Sequence, residues 1–207
     1  MLVFVDANLV LFAVPKTGST AYHLALRGRA DISLANKAGL KHMTARKFDR
    51  DFGPYLDRAH GLRPTRAAVI RDPLEQLRSW YRYRQDPKRK GASNSAAGLS
   101  FDDFVLATIA DDPPPFARVG SQFAFVTDDR GAVRIEHLFA YEKPTVFRAW
   151  LSDRLGQKID TKEKNVSPPA PTPISTEIEA QLRAARADDF ALHDAIMDAS
   201  GYLLTTL

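Results

Sequence analysis

The sequence predicts an α/β fold, with a mainly parallel central sheet carrying helices on both faces, in one domain over residues 1–207. Three observations predict it. Two apolar runs of strand length, Leu9 to Val14 and Ala67 to Ile70, each lead through a proline-bearing turn into a helical pattern. Strand-like and helix-like segments alternate along the chain. The length of 207 residues suits a single core, and no internal repeat or compositional break divides it.

Met1 to Val14 reads as one interrupted β segment. Asp6-Ala7-Asn8 is a turn signal, so its two halves form a hairpin or one strand with an irregular lead-in. A helix is expected from Thr20 to Arg29, with Arg27 and Arg29 near the end where the helix dipole favours cations. Ile32 to Leu34 and Leu40 to Met43 are short apolar patches. Thr44 caps a helix through Phe48, and Pro54 opens a further helical turn.

Arg66 to Arg71 is a strand and Leu74 to Arg84 a helix, with Pro73 near its first position. Asp86 to Gly98 is a polar loop. Ser100 and Asp103 form a short capping box for a helix through Ala110, which Asp111 to Pro115 ends. Phe123 to Val126 and Val133 to Phe139 are a hairpin, or a helix end followed by one strand. Pro144 to Leu155 is a helix stopped at Gly156. Gln157 to Ile174 is a polar, proline-rich stretch, and Ser175 to Ser200 one long terminal helix.

The chain has no cysteine, which excludes disulfides, thiolate metal sites and a cysteine nucleophile. Its formal charge of +4 suits a polyanionic nucleotide or an acidic glycan, and equally nucleic acid. No zinc finger, RRM or heptad pattern accompanies that charge, so no nucleic-acid partner is expected. No run of 18 apolar residues exists, so no membrane span is expected. The N-terminus lacks the basic lead-in of a signal peptide.

The organising stretch is Leu9 to Ala21, LVLFAVPKTGSTA. A strand, a tight turn and a helix start make an anion site, because the first backbone N–H groups of a helix lack partners and its dipole favours negative charge. Lys16 adds a cation, and Thr17, Ser19 and Thr20 add hydroxyls around Gly18. The loop is P-loop-like without being a Walker A motif. That pattern places its lysine after the second glycine, whereas here Lys16 precedes a single glycine by two positions. By itself the stretch also fits an ordinary strand–turn–helix corner.

A second stretch repeats the architecture. In VIRDPLEQLRSWYRY, Arg71 closes a strand, Asp72-Pro73 turns, and Ser79 lies eight residues beyond Arg71 in the following helix. The pairing of PKTGST with RDPxxxxxS resembles the two-part signature of sulfotransferases that use 3′-phosphoadenosine 5′-phosphosulfate (PAPS). It is closest to the glycan-modifying branch of heparan sulfate 2-O- and uronyl 2-O-sulfotransferases. Fainter similarity runs through SFDDFV, Ser100 to Val105, and HLFAYEK, His137 to Lys143.

The resemblance implies that Lys16, Thr17, Gly18, Ser19 and Thr20 hold the 5′-phosphosulfate, and that Arg71 and Ser79 hold the 3′-phosphate. It implies PAPS as co-substrate, no metal, and a glycan hydroxyl as acceptor. Golgi relatives carry a membrane anchor. The lack of an apolar span here predicts a cytoplasmic protein. The resemblance also points to Lys162, Lys164 and the Asn165-Val166-Ser167-Pro168 segment as a loop over the nucleotide, and Arg89-Lys90-Gly91 reads as a basic loop that guides an anionic acceptor.

Sulfuryl transfer, treated by analogy with phosphoryl transfer, depends on positioning and charge stabilisation. Lys16 is the expected stabiliser of the leaving phosphate. An acceptor hydroxyl needs a base, and histidine is the usual choice near neutral pH. His42, in LKHMT between the two motifs, is the expected base by resemblance to the family's lysine–histidine context, and His137 is the next candidate. His23 is expected to face away from the loop, and His193 to lie on the surface. Two other classes fit the same residues less well. One is a different P-loop small-molecule transferase, such as a kinase. The other is a non-catalytic module that binds nucleotide or a partner.

Overall fold

The structure, a computed structural model, describes residues 1–89, 91–161 and 171–207, with Arg89 described by its backbone alone. The chain opens with β1 (Leu2–Phe4) and β2 (Leu9–Leu11). They form the hairpin, paired Leu2 to Leu11 and Phe4 to Leu9. Asn8 takes the left-handed conformation that the tight turn needs, at φ 44°.

Next come α1 (Ser19–Leu26), β3 (Ile32–Ser33) and α2 (Ala38–Lys41). α3 (Ala45–Lys47) starts where the Thr44 hydroxyl accepts the Lys47 N–H. A π-helical turn, Phe48–Phe52, joins it to α4 (Gly53–His60). β4 (Thr65–Ile70), α5 (Pro73–Arg84), α6 (Phe101–Ile109) and α7 (Gln122–Val126) follow. The chain continues through β5 (His137–Ala140), α8 (Pro144–Arg154), α9 (Thr176–Ala185), α10 (Ala187–Asp198) and β6 (Tyr202–Leu204).

The six strands form one sheet in the order β3-β1-β2-β4-β5-β6. Only the central pairs, β2 with β4 and β4 with β5, are parallel. The outer pairs are antiparallel, so the sheet is mixed, and the expectation of a mainly parallel sheet holds for its middle alone. The short turn between β1 and β2 can only return the chain antiparallel, and the helical segments between β2, β4 and β5 allow parallel crossovers, while β3 and β6 add to the edges antiparallel after longer connections.

Side chains alternate across the sheet with period two. Val3, Val10 and Phe12 face Phe48, Leu56, Phe125 and Ile196, from the α3–α4 region, α7 and α10. Leu2, Leu9, Leu11, Val69 and Phe139 face Leu26 of α1 and Phe147 and Leu151 of α8. Helices therefore cover both faces, as expected. A third cluster joins α5, α6, α9 and α10 through Leu77, Tyr81, Phe101, Phe104, Leu182 and Phe190. Among the described residues, no helix is long and apolar enough to cross a membrane.

The C-terminal region departs from expectation. One helix from Ser175 to Ser200 is interrupted at Arg186, where φ is −120° and ψ 30°. Both sides of the break are occupied by tertiary contacts. The Arg186 guanidinium donates to the carbonyls of Thr108 and Val119. The buried Asp189 carboxylate accepts the N–H groups of Gln122 and Phe123 at the start of α7. The edge strand β6, which follows a turn at Ser200 and Gly201 with φ 59° and 90°, was not expected. Of the two options for residues 123–139, a helix end followed by one strand is the one found, with a single bridge between Thr127 and Val133.

Candidate functional site

The carboxyl ends of β2, β4 and β5 converge, as ligand-binding ends do in open α/β sheets. β2 runs on as Phe12 to Val14, with the Phe12 N–H donating to the Ala67 carbonyl of β4. The chain then turns through Pro15 to Gly18 and enters α1. Lys16 and Gly18 both take left-handed conformations, at φ 66° and 71°. Gly18 is the N-cap of α1, and among the described residues no side chain caps that end. A Cβ at Gly18 would also lie 3.2 Å from the Tyr141 ring, so two separate constraints favour glycine there.

The loop is fastened by its own carbonyls. Gln76 of α5 donates to the Pro15 carbonyl at 2.9 Å, and Arg71 donates to that of Lys16 at 3.2 Å. The Thr17 hydroxyl donates to the Val14 carbonyl at 2.9 Å and is buried. Thr17 is thereby committed to holding the turn, and what it can offer a ligand is its backbone N–H. Ser19 and Thr20 occupy the first turn of α1.

Arg71, directly after β4, is held at its backbone from both sides. Its N–H donates to the Gln122 amide oxygen, and its carbonyl accepts from the Gln122 amide nitrogen, at 2.9 and 2.7 Å. The guanidinium lies 4.5 Å from the centre of the Tyr141 ring and 3.8 Å from the Glu75 carboxylate. Among the described residues, its buried Nε meets no hydrogen-bond partner. Ser79 stands three residues after Gln76 and four before Tyr83, so the three share the α5 face turned to the loop. The Lys16 ammonium lies over that face, 4.5 Å from the Tyr83 ring centre and 5.6 Å from that of Trp80.

On the other side of the loop, the last turn of α2 delivers Lys41 and His42. Lys41 donates to the Thr20 hydroxyl at 3.1 Å, and burial lowers its pKa. His42 Nδ1 lies 2.6 Å from the Ala13 carbonyl. A carbonyl only accepts, so Nδ1 carries the proton and Nε2 of the neutral ring keeps its lone pair. Burial lowers the His42 pKa, the Ala13 carbonyl opposes this, and the Lys41 charge adds to the lowering.

The other histidines separate by position. His23 is buried, pairs with Ser33 at 3.3 Å and lines a small cavity with Thr17, Ser19 and Tyr22. It therefore packs behind the loop rather than turning away from it. His137 begins β5, at the end of the strand away from the loop, and bonds the Tyr202 hydroxyl at 2.7 Å. His193 is buried on α10 against Glu142, not on the surface, because the Glu142 carboxylate at the end of β5 reaches it at 3.1 Å.

Three contributors were not anticipated. Gln122 braces Arg71, Tyr141 bridges Gly18 and Arg71, and Lys41 touches Thr20. Tyr141 had a readable signal, since it directly follows β5 at the same sheet edge as Pro15 and Arg71. Lys41 and Gln122 had none, because their distances to the loop depend on packing. Among the described residues, no group of three or more histidine, aspartate or glutamate side chains is placed to hold a metal ion. Lys162, Lys164, the Asn165 to Pro168 segment and Lys90 lie outside the described residues.

The arrangement can hold an anion between a helix start and two lysines, hold a second anion at Arg71, and offer a neutral imidazole nitrogen nearby. No family model, curated protein or solved structure matches the chain.

Proposed function

We propose that the chain is a sulfotransferase that moves a sulfuryl group from PAPS to an acceptor hydroxyl, of a carbohydrate. The observation that carries this reading is the contact between the two motifs. Arg71 and the Lys16 carbonyl meet at 3.2 Å, at the ends of neighbouring parallel strands, so one nucleotide can span both. The unpartnered Nε of Arg71 and the shared face of Gln76, Ser79 and Tyr83 support a 3′-phosphate there. The uncapped start of α1, with Lys16, Gly18, Ser19 and Thr20, supports the 5′-phosphosulfate.

In this reading the sulfur–oxygen bond to the 5′-phosphate breaks and a sulfur–oxygen bond to the acceptor forms. The acceptor proton passes to His42 Nε2, and 3′,5′-ADP departs. Lys16 leaves the aromatic face of α5 to meet the charge that grows on the departing phosphate. It exchanges its place over the Tyr83 and Trp80 rings, 4.5 and 5.6 Å from their centres, for a charge-assisted hydrogen bond to phosphate.

Calorimetry tests the reading. The protein is expected to bind 3′,5′-ADP without added metal and more tightly than 5′-AMP. Arg71→Ala is expected to cost about 1.5–3 kcal/mol, roughly 10- to 150-fold in Kd, on 3′,5′-ADP, and less on 5′-AMP, where only the hold on the Lys16 carbonyl is lost. Equal affinity of the wild type for the two nucleotides would overturn the assignment. Sulfate transfer from PAPS to a glycan panel then identifies the acceptor.

A further inference from the structure

We infer that Lys41 is a positioning residue that turns the Thr20 hydroxyl into a dedicated donor for the anion in the loop. The inference rests on the nucleotide reading above and extends it to a residue outside both motifs. A lysine ammonium can only donate, so the 3.1 Å contact from Lys41 uses a lone pair of Thr20 Oγ1. The hydroxyl proton must then point away from the ammonium. Thr20 is the second residue of α1, on the turn that starts at Gly18. A mid-helix threonine commonly donates to the carbonyl four residues back. Here that carbonyl belongs to Lys16, ahead of the helix, and takes its hydrogen bond from Arg71 and not from Thr20. Among the described residues, the Thr20 O–H meets no acceptor, and it is left to a ligand at the helix start.

Placement strengthens the case. Lys16 and Lys41 lie on opposite sides of the loop, one over the α5 aromatics and one at α1. An anion at the loop is thus bracketed by two cations. Lys41 is half-buried, so its charge is less screened than a surface lysine's. The same short helix presents His42 to the Ala13 carbonyl, and the His42 N–H closes that helix on Ala38 at 2.8 Å. One element therefore sets both the Thr20 donor and the imidazole.

The competing account is a tether that merely ties α2 to α1. A tether affects all ligands of the folded protein alike, whereas a positioned donor matters only to a ligand with a 5′-phosphate. The test is calorimetry with 3′,5′-ADP and with adenosine 3′-monophosphate, which lacks the 5′-phosphate. Lys41→Met is expected to weaken 3′,5′-ADP about tenfold and leave the 3′-monophosphate unchanged. Thr20→Val is expected to do the same, and the double variant to be no worse than the poorer single one. Lys41→Gln keeps a donor to Thr20, is expected to show the same selective loss at smaller size, and serves if the methionine variant does not fold. Equal loss on both nucleotides, no loss on either, or additive effects of the two substitutions overturn the role of Lys41 alone. A wild type that binds neither nucleotide overturns the nucleotide reading, and this inference with it.

Discussion

The imidazole of His42 and the carbonyl of Ala13 lie 2.6 Å apart, and that contact selects which nitrogen can act as a base. With Nδ1–H donated to the backbone, Nε2 is the proton acceptor, held in one orientation. Burial lowers the pKa of the ring from its ordinary 6.5, so the neutral form prevails at neutral pH. A base must be neutral to accept a proton, so the rate is expected to rise with pH along a limb centred below 6.5. His42→Ala is expected to abolish that limb and lower turnover by about 10²–10⁴-fold, with 3′,5′-ADP affinity nearly intact. A pH–rate profile of both proteins checks this. Wild-type turnover in His42→Ala would move the base elsewhere, and the buried His23 is then the nearer candidate, since His137 lies at the far end of β5.

At the scale of elements, α5 links the two motifs. Its start is set locally: the Asp72 carboxylate accepts the Glu75 N–H at 2.8 Å, and Pro73 occupies the first turn. Its inward face then sends Gln76 to the Pro15 carbonyl and carries Ser79, Trp80 and Tyr83 beside the loop. α7 completes the brace, since the buried Gln122 pairs with both backbone groups of Arg71. Gln122→Leu leaves an N–H and a carbonyl unpaired in a half-buried turn. A loss of about 2 kcal/mol or more is expected in urea unfolding, from about 1–3 kcal/mol for each buried unpaired group. Weaker binding of 3′,5′-ADP is expected with it.

Across the whole molecule, α10 ties the far face of the sheet to the site. Glu142 accepts the Asp72 N–H with one oxygen and pairs with His193 through the other. Burial alone would lower the His193 pKa, but the hydrogen bond and charge of Glu142, with Asp72 and Asp194 nearby, raise it above 6.5. Burial alone would raise that of Glu142, but the His193 and Asp72 contacts hold it below 4.5. The His193 contribution is therefore fully present below 6.5 and lost as pH rises through its raised pKa. The Glu142 contribution is present above 4.5 and lost as pH falls through its lowered pKa. His193→Gln is expected to cost about 1–3 kcal/mol between these limits, a value between exposed and buried ion pairs. Thermal unfolding of both proteins across the pH range checks this, and the gap is expected to narrow at alkaline pH. A gap that stays constant up to pH 9 would remove the charge from the explanation.

Local chemistry made much of this readable in the sequence. The hairpin at Asp6-Ala7-Asn8, the loop and helix at PKTGST, the Asp72-Pro73 start of α5 and the Ser100–Asp103 capping box each depend on neighbours within a few residues. Tertiary structure alone decided the antiparallel edges of the sheet, the break at Arg186, the burial of His193 and the contacts of Lys41, Gln122 and Tyr141 with the loop. Each of these couples residues far apart in the chain, from Lys41 with Thr20 to Gln122 with Arg71. Such pairs leave no spacing or periodicity in the sequence, because they exist only once the sheet has ordered its strands and the helices have packed on its faces.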